Sequence, residues 1–143
     1  MKNTKLRFFV DTTVAVSALT GRNDDSWTLL ESGRRGLILL FVNEFILKEI
    51  RWTLKEFRIS QEKINYGIDY VMECCTVRKN VQKTGLLKYN IRDKNDRPVI
   101  AGAVHESAFL VTEDSVLRED AKKYIECGTP GDALKNYVNE GEF

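Results

Sequence analysis

Four acidic side chains occupy positions where a carboxylate can do chemistry: Asp11, Glu49, Asp96 and Asp114. Asp11 closes the apolar run Leu6-Arg7-Phe8-Phe9-Val10, and Asp114 follows Phe109-Leu110-Val111-Thr112-Glu113. Both runs read as buried parallel strands that deliver an acid at their C-terminal ends. Ligands of α/β proteins gather at those ends. Asp96 opens a small-residue helix in which Pro98 is tolerated in the first turn. At about 100° per residue, Asp96 shares the inward face with Ile100, Ala103 and Ser107. A carboxylate aimed at the core is costly unless it is paired, protonated or bound to a metal. Glu49 flanks the stripe Ile46, Ile50, Leu54 and Phe57, about 100° from its centre, and can reach an opening at the edge of the core.

Two carboxylates about 4 Å apart repel by roughly 4 kcal/mol at an effective dielectric of about 20. If the two strands are neighbours, the four acids converge, and the cluster requires bound cations or protons. Oxygen-only ligands favour Mg²⁺ or Mn²⁺ over zinc. A hard cation that keeps some of its waters suits phosphoryl chemistry, where it activates water and stabilises the leaving oxygen. Thr13 and Thr112 are expected to support the carboxylates through hydrogen bonds. Arg92, Lys94 and Arg97, with Arg34 and Arg35, are cations able to form a rim that meets phosphates, or are scattered solvated charge. Asp24, Asp25, Asp93 and Glu113 read as turn or rim residues. His105 lies about 180° from Asp96 on the same helix and is expected at the surface.

The elements that must position these groups alternate along the chain. The first strand leads into a short helix stopped near Gly21, and Asn23 to Ser26 supply turn and cap chemistry for a helix ending near Arg34. Leu37 to Val42 is a second buried strand. Asn43 caps a helix from Glu44 to about Phe57. The next helix opens at Ser60 and turns Ile64, Ile68, Val71 and Met72 inward. Thr76 to Val81 is expected to be a strand, and the polar segment Gln82 to Asn95 a mobile loop. After Asp114 come a short helix over residues 116–123, a strand near Tyr124 to Cys127, and a last helix from Asp132 to Asn139. Strands alternating with helices define an α/β class with a mostly parallel sheet.

A length of 143 residues suits one domain with a real core. The formal charge of +1 gives no basic footprint of a nucleic-acid binder, although local patches can be basic on a neutral chain. No apolar run is long enough to span a membrane, and no signal peptide is evident. The three cysteines have no zinc-type spacing and read as reduced, partly buried thiols of a cytoplasmic protein.

Taken in order, Phe9-Val10-Asp11-Thr12-Thr13, Glu49 within Asn43 to Ile50, Asp96 within Asp93 to Ala103, and Leu110-Val111-Thr112-Glu113-Asp114 resemble the motifs of the PIN domain family. Its members include VapC-type toxins and RNA-processing ribonucleases. The resemblance runs nearly end to end, and Thr129-Pro130 before a helix is similar to one subgroup. It departs at Thr13, where the family usually has Asn or Ser. The resemblance implies a single three-layer α/β/α domain over residues 1–143 and a metal-dependent endoribonuclease. Asp11, Glu49, Asp96 and Asp114 would hold one or two Mg²⁺ or Mn²⁺ ions. It further implies an RNA substrate, an antitoxin protein as partner, and a homodimer. The alternative is a PIN-like module that binds RNA or protein without cutting. A haloacid-dehalogenase-like phosphatase ranks third, because it wants a second Asp where Thr13 stands.

Overall fold

Strands covered on both faces read as near-continuous apolar runs, and three segments of the chain do so. Arg7–Val10 (β1), Leu39–Asn43 (β2) and Phe109–Val111 (β4) form the centre of the sheet in a computed structural model that describes residues 6–137. Thr76–Arg78 (β3) and Cys127–Gly128 (β5) complete a five-stranded sheet in the order β3-β2-β1-β4-β5. Every pairing is parallel, with Phe9 opposite Phe41 on one side and Leu110 on the other. The chain winds outward from β1 through β2 to β3, then returns to the other side of β1 as β4. The C-terminal ends of β1 and β4 therefore flank the switch point, the crevice where ligands of open α/β sheets bind.

Seven α-helices among the described residues flank the sheet in an α/β/α arrangement: Thr12–Leu19 (α1), Asp24–Arg34 (α2), Glu44–Glu56 (α3), Gln61–Cys74 (α4), Arg97–His105 (α5), Ser115–Ala121 (α6) and Pro130–Tyr137 (α7). Five begin with a capping side chain that accepts from backbone N–H groups: Asn23, Asn43, Ser60, Asp114 and Thr129. Residues 138 and 139, expected in the last helix, lie outside the described residues.

Two contacts set α5, the helix that Asp96 opens. Gly102 lies so close to β1 that a Cβ there would come within 2.5 Å of Phe9 Cζ, leaving no room for a side chain. Asn43, 1% exposed at the end of β2, accepts from the Ile46 N–H through Oδ1 and donates through Nδ2 to the Pro98 carbonyl at 3.1 Å. One buried amide thus joins the start of α3 to the first turn of α5.

Several expectations change. Phe57 is not core: it caps the C-terminus of α3, 42% exposed beneath the Arg22 guanidinium. Met72 is 49% exposed, because Ile64, Ile68 and Val71 already fill the inward stripe of α4. Ser107 does not continue the Asp96 face, since α5 ends at His105 and Ser107 turns into the left-handed region at φ 51°. The expected third strand stops at Arg78, and the strand expected near Tyr124 to Cys127 is instead the two residues Cys127–Gly128, because the chain still turns at residues 124–125. Gln82 to Asn95 is no free loop. It holds 3₁₀ turns at Lys83–Leu86 and Lys94–Asp96, buries Tyr89 and Ile91, and ties its backbone to Tyr124 and Asp120.

Candidate active site

Asp11 leaves β1 buried, 4% exposed, with its backbone N–H donating to the Val111 carbonyl across the β1–β4 pair. Its Oδ2 accepts from Thr112 Oγ1 at 2.7 Å and Thr13 Oγ1 at 2.9 Å. Thr13 Oγ1 in turn accepts from the Glu113 N–H, and Thr112 Oγ1 from the Asp114 N–H. These bonds fasten the β4–α6 turn to the start of α1. Burial pushes the Asp11 carboxyl above its ordinary range, and the hydroxyls of Thr112 and Thr13 pull it back only in part.

Glu49, half-buried on α3, accepts from Thr12 Oγ1 at 2.9 Å through Oε1. Burial raises its pKa against the effect of the Thr12 bond, and the nearby charges of Asp11 and Asp93 raise it further. Asp96 stands at the N-terminus of α5 without capping a backbone N–H. Its pKa is pushed up to about 7, first by burial, then by the fields of Asp11, Asp93, Glu49 and Asp114. Asp114 points Oδ1 at the N–H groups of Val116 and Leu117 and so also caps α6. Among the described residues, none of these four acids lies within ion-pair distance of a cationic side chain.

The fold therefore brings Asp11, Glu49, Asp93 and Asp114 close enough to Asp96 at the switch point for their charges to act on it. Their oxygens match the donor chemistry of a hard divalent cation. They are not closed around a single ion: among the described residues no group of three His, Cys, Asp or Glu side chains forms a ready-made metal site. His105 is exposed at the other end of α5.

A family model for the PIN domain matches residues 7–115, spanning the segment from β1 to the start of α6 and including all four acids. The chain belongs to the PIN domain family. No curated protein sequence matches it. Among solved structures, it is similar to VapBC2 from Rickettsia felis, bound to a DNA fragment from their promoter (TM-score 0.67, 16% identity, covering 87% of this chain and 98% of that one). PAE2754 from Pyrobaculum aerophilum gives a TM-score of 0.66 at 18% identity, covering 94% and 97%. FitAcB from Neisseria gonorrhoeae gives 0.62 at 16%, covering 87% and 98%. At such identities the likeness is one of fold. With the family established, the dehalogenase-like alternative is set aside.

Three of the cations expected at the rim of this PIN domain, Arg34, Arg92 and Arg97, have partners inside the chain, Arg34 in Glu31. Arg92 grips Asp120 through Nε and Glu119 through Nη2, and Arg97 Nε donates to the Tyr89 carbonyl. Lys94 is exposed beside Asp93. Glu113, expected to be a turn or rim residue, instead accepts from Ser17 Oγ, Asn23 Nδ2 and Ser26 Oγ, pinning α1 and α2 to the β4–α6 turn. Thr12 and the α5 bond of Asn43 gave no signal in the sequence, because each acts on a residue distant along the chain. Asp93, expected to be a turn residue, opens the 3₁₀ turn before α5 by accepting from the Asn95 N–H, and its charge also reaches Asp96.

Proposed function

We propose that this PIN domain, taken as one unit over residues 1–143, is a metal-dependent endoribonuclease that hydrolyses phosphodiester bonds of single-stranded RNA. The observation that carries the proposal is the clustered acid charge at the switch point. Asp96 sits near pKa 7 under the fields of four other carboxylates, and no cationic side chain among the described residues pairs with any of the four candidate ligands. Folding such repulsion into a crevice is costly and favours bound positive charge.

Asp11, Glu49, Asp96 and Asp114 would hold one or two Mg²⁺ or Mn²⁺ ions, partly through water, as suits an ion that dehydrates reluctantly. When bound, the cation supplies an activated water and charge for the leaving oxygen. Positive charge held in the crevice would favour the ionised form of the Asp96 carboxyl, whose pKa the neighbouring carboxylates raise. Thr13 and Thr112 hold Asp11 Oδ2, and Thr12 holds Glu49 Oε1, so that the carboxylates keep their directions. Lys94, exposed beside Asp93, would meet a substrate phosphate. No side chain acts as nucleophile.

Membership of a family that includes VapC-type toxins, with the likeness to VapBC2 and FitAcB, supports a toxin role with an antitoxin partner. A homodimer rests on the same ground. Incubating the protein with single-stranded RNA and Mg²⁺ or Mn²⁺ should give internal cleavage that disappears with EDTA. Undiminished cleavage in EDTA overturns the mechanism, and equal cleavage of single-stranded DNA overturns the substrate. A second reading, a PIN module that binds without cutting, is favoured by the absence of a ready-made ligand group among the described residues. It predicts no cleavage and no heat on calorimetric titration with Mn²⁺.

A further inference from the structure

Helix α3 carries Glu49 on its inner margin and, one turn later, Trp52, which is 64% exposed. Counted from Glu49 at about 100° per residue, Phe45 and Trp52 lie about 40° and 60° toward solvent, Lys48 and Lys55 about 100° and 120°, and Arg51 about 160°. The buried Ile46, Ile50 and Leu54 take the opposite side. The outer face of α3 therefore runs from the candidate catalytic acid across an open indole to three cations. By the same count Glu44, in the first turn, lies about 140° round among these cations, and Glu56, the last residue of the helix, about 20° round toward the indole; both are exposed. Among the described residues Lys48, Arg51 and Lys55 have no carboxylate within ion-pair distance. Lys79 joins them at the start of the helix, where the neighbouring Asn80 accepts from the Phe45 N–H at 2.8 Å.

One exposed aromatic residue needs no explanation by itself. An indole beside unpaired cations, within a helical turn of an acid at the switch point, is the pattern that binds single-stranded nucleic acid: bases stack on the ring while cations follow the backbone. A duplex hides its base faces and could not use the ring in this way. The cations also offset the negative crevice, which would otherwise repel a polyanion.

We propose that this face of α3 is the surface over which single-stranded RNA enters. A base stacks on Trp52 and the flanking phosphates lie on Lys48 and Lys55. The proposal rests on the endoribonuclease reading for why RNA should come to this crevice, but it has its own test.

The chain has two tryptophans, Trp27 and Trp52, so intrinsic fluorescence separates them. In an Asp96→Asn background with Mg²⁺ present, which keeps the RNA whole, Trp27→Phe leaves Trp52 as reporter and Trp52→Phe leaves Trp27. Titration with a short oligouridylate should quench the first and leave the second unchanged. Trp52→Ala should weaken binding at least about fivefold, the loss of one stacked base. Lys48→Gln and Lys55→Gln should each lower the slope of log affinity against log salt by about 0.7. Equal quenching of both reporters, or parental affinity in Trp52→Ala, overturns the proposal. If wild-type protein cuts RNA but Trp52→Ala binds as before, only this proposal fails. If Trp52-dependent binding occurs without cleavage by the wild type, the endoribonuclease reading fails and the surface stands.

Discussion

Asp96→Asn is the substitution in which the physics of the cluster is most exposed, because it removes a charge while keeping the shape. In the folded protein Asp96 sits near pKa 7 against an ordinary value of 3.8. A shift of about three pKa units corresponds to about 4 kcal/mol at full strength. Asp96 is only partly buried, and solvent screening reduces that to ~2 kcal/mol. The folded pKa is raised, so the folded state holds the proton more tightly than the unfolded chain does. The associated stability is complete below about pH 4 and is lost as pH rises through about 7. Asn carries no charge and suffers no such loss. It gives up the attraction between a carboxylate and the α5 N-terminus, ~0.5 kcal/mol, and no cap, since Asp96 makes none. The repulsion wins, leaving a net gain of about 1–2 kcal/mol at pH 8. That corresponds to roughly 3–6 °C in Tm for a domain of this size. Calorimetric melts in EDTA at pH 4 and pH 8 measure it. The variant should match wild type at pH 4 and exceed it at pH 8, and Mg²⁺ should close the gap by stabilising wild type. A variant that melts lower at pH 8, or a gap that ignores pH, would show that Asp96 is structurally paired and refute the reasoning.

Two further substitutions test how the fold positions the site. Asn43→Ala removes the cap of α3 and leaves the Pro98 carbonyl without its buried donor, at a cost of about 2–3 kcal/mol in urea unfolding; a loss no larger than that of the exposed cap variant Ser60→Ala would contradict the link between α3 and α5. Gly102→Ala gains ~1 kcal/mol of helix propensity but drives a methyl into the Phe9 ring for about 2–3 kcal/mol, so a net loss should appear in the same assay; a stabilised variant would show that α5 can move away freely.

Local patterns carried the parts of this molecule that depend on neighbours along the chain. Val10-Asp11 and Leu110-Val111 announce buried strands because such strands must be apolar on both faces, and Asn23, Asn43 and Ser60 announce helix starts because their side chains reach their own backbone. Sheet order was not legible in the same way. Nothing near Asp11 in sequence says that β4 rather than β2 supplies its hydroxyl partner Thr112 across the switch point. The apolar period outlasts the inward stripe at Phe57 and Ser107, since periodicity cannot tell a last turn from a cap. The Gln82 to Asn95 segment looked free because its anchors, Tyr89, Ile91 and the Arg92–Asp120 pair, are scattered among polar residues. Four of the acids stood out as candidates through strand ends and helix register. What they feel from one another is a property of three dimensions only.

Mn²⁺ titration followed by calorimetry, run on wild type and on Asp11→Asn, Glu49→Gln and Asp114→Asn, asks whether these carboxylates share one cation. A common site predicts saturable binding to wild type and a loss of about tenfold or more in affinity for each variant, although the residues come from three separate elements. Wild-type protein that takes up no Mn²⁺, or variants that bind it as tightly as wild type, would contradict it.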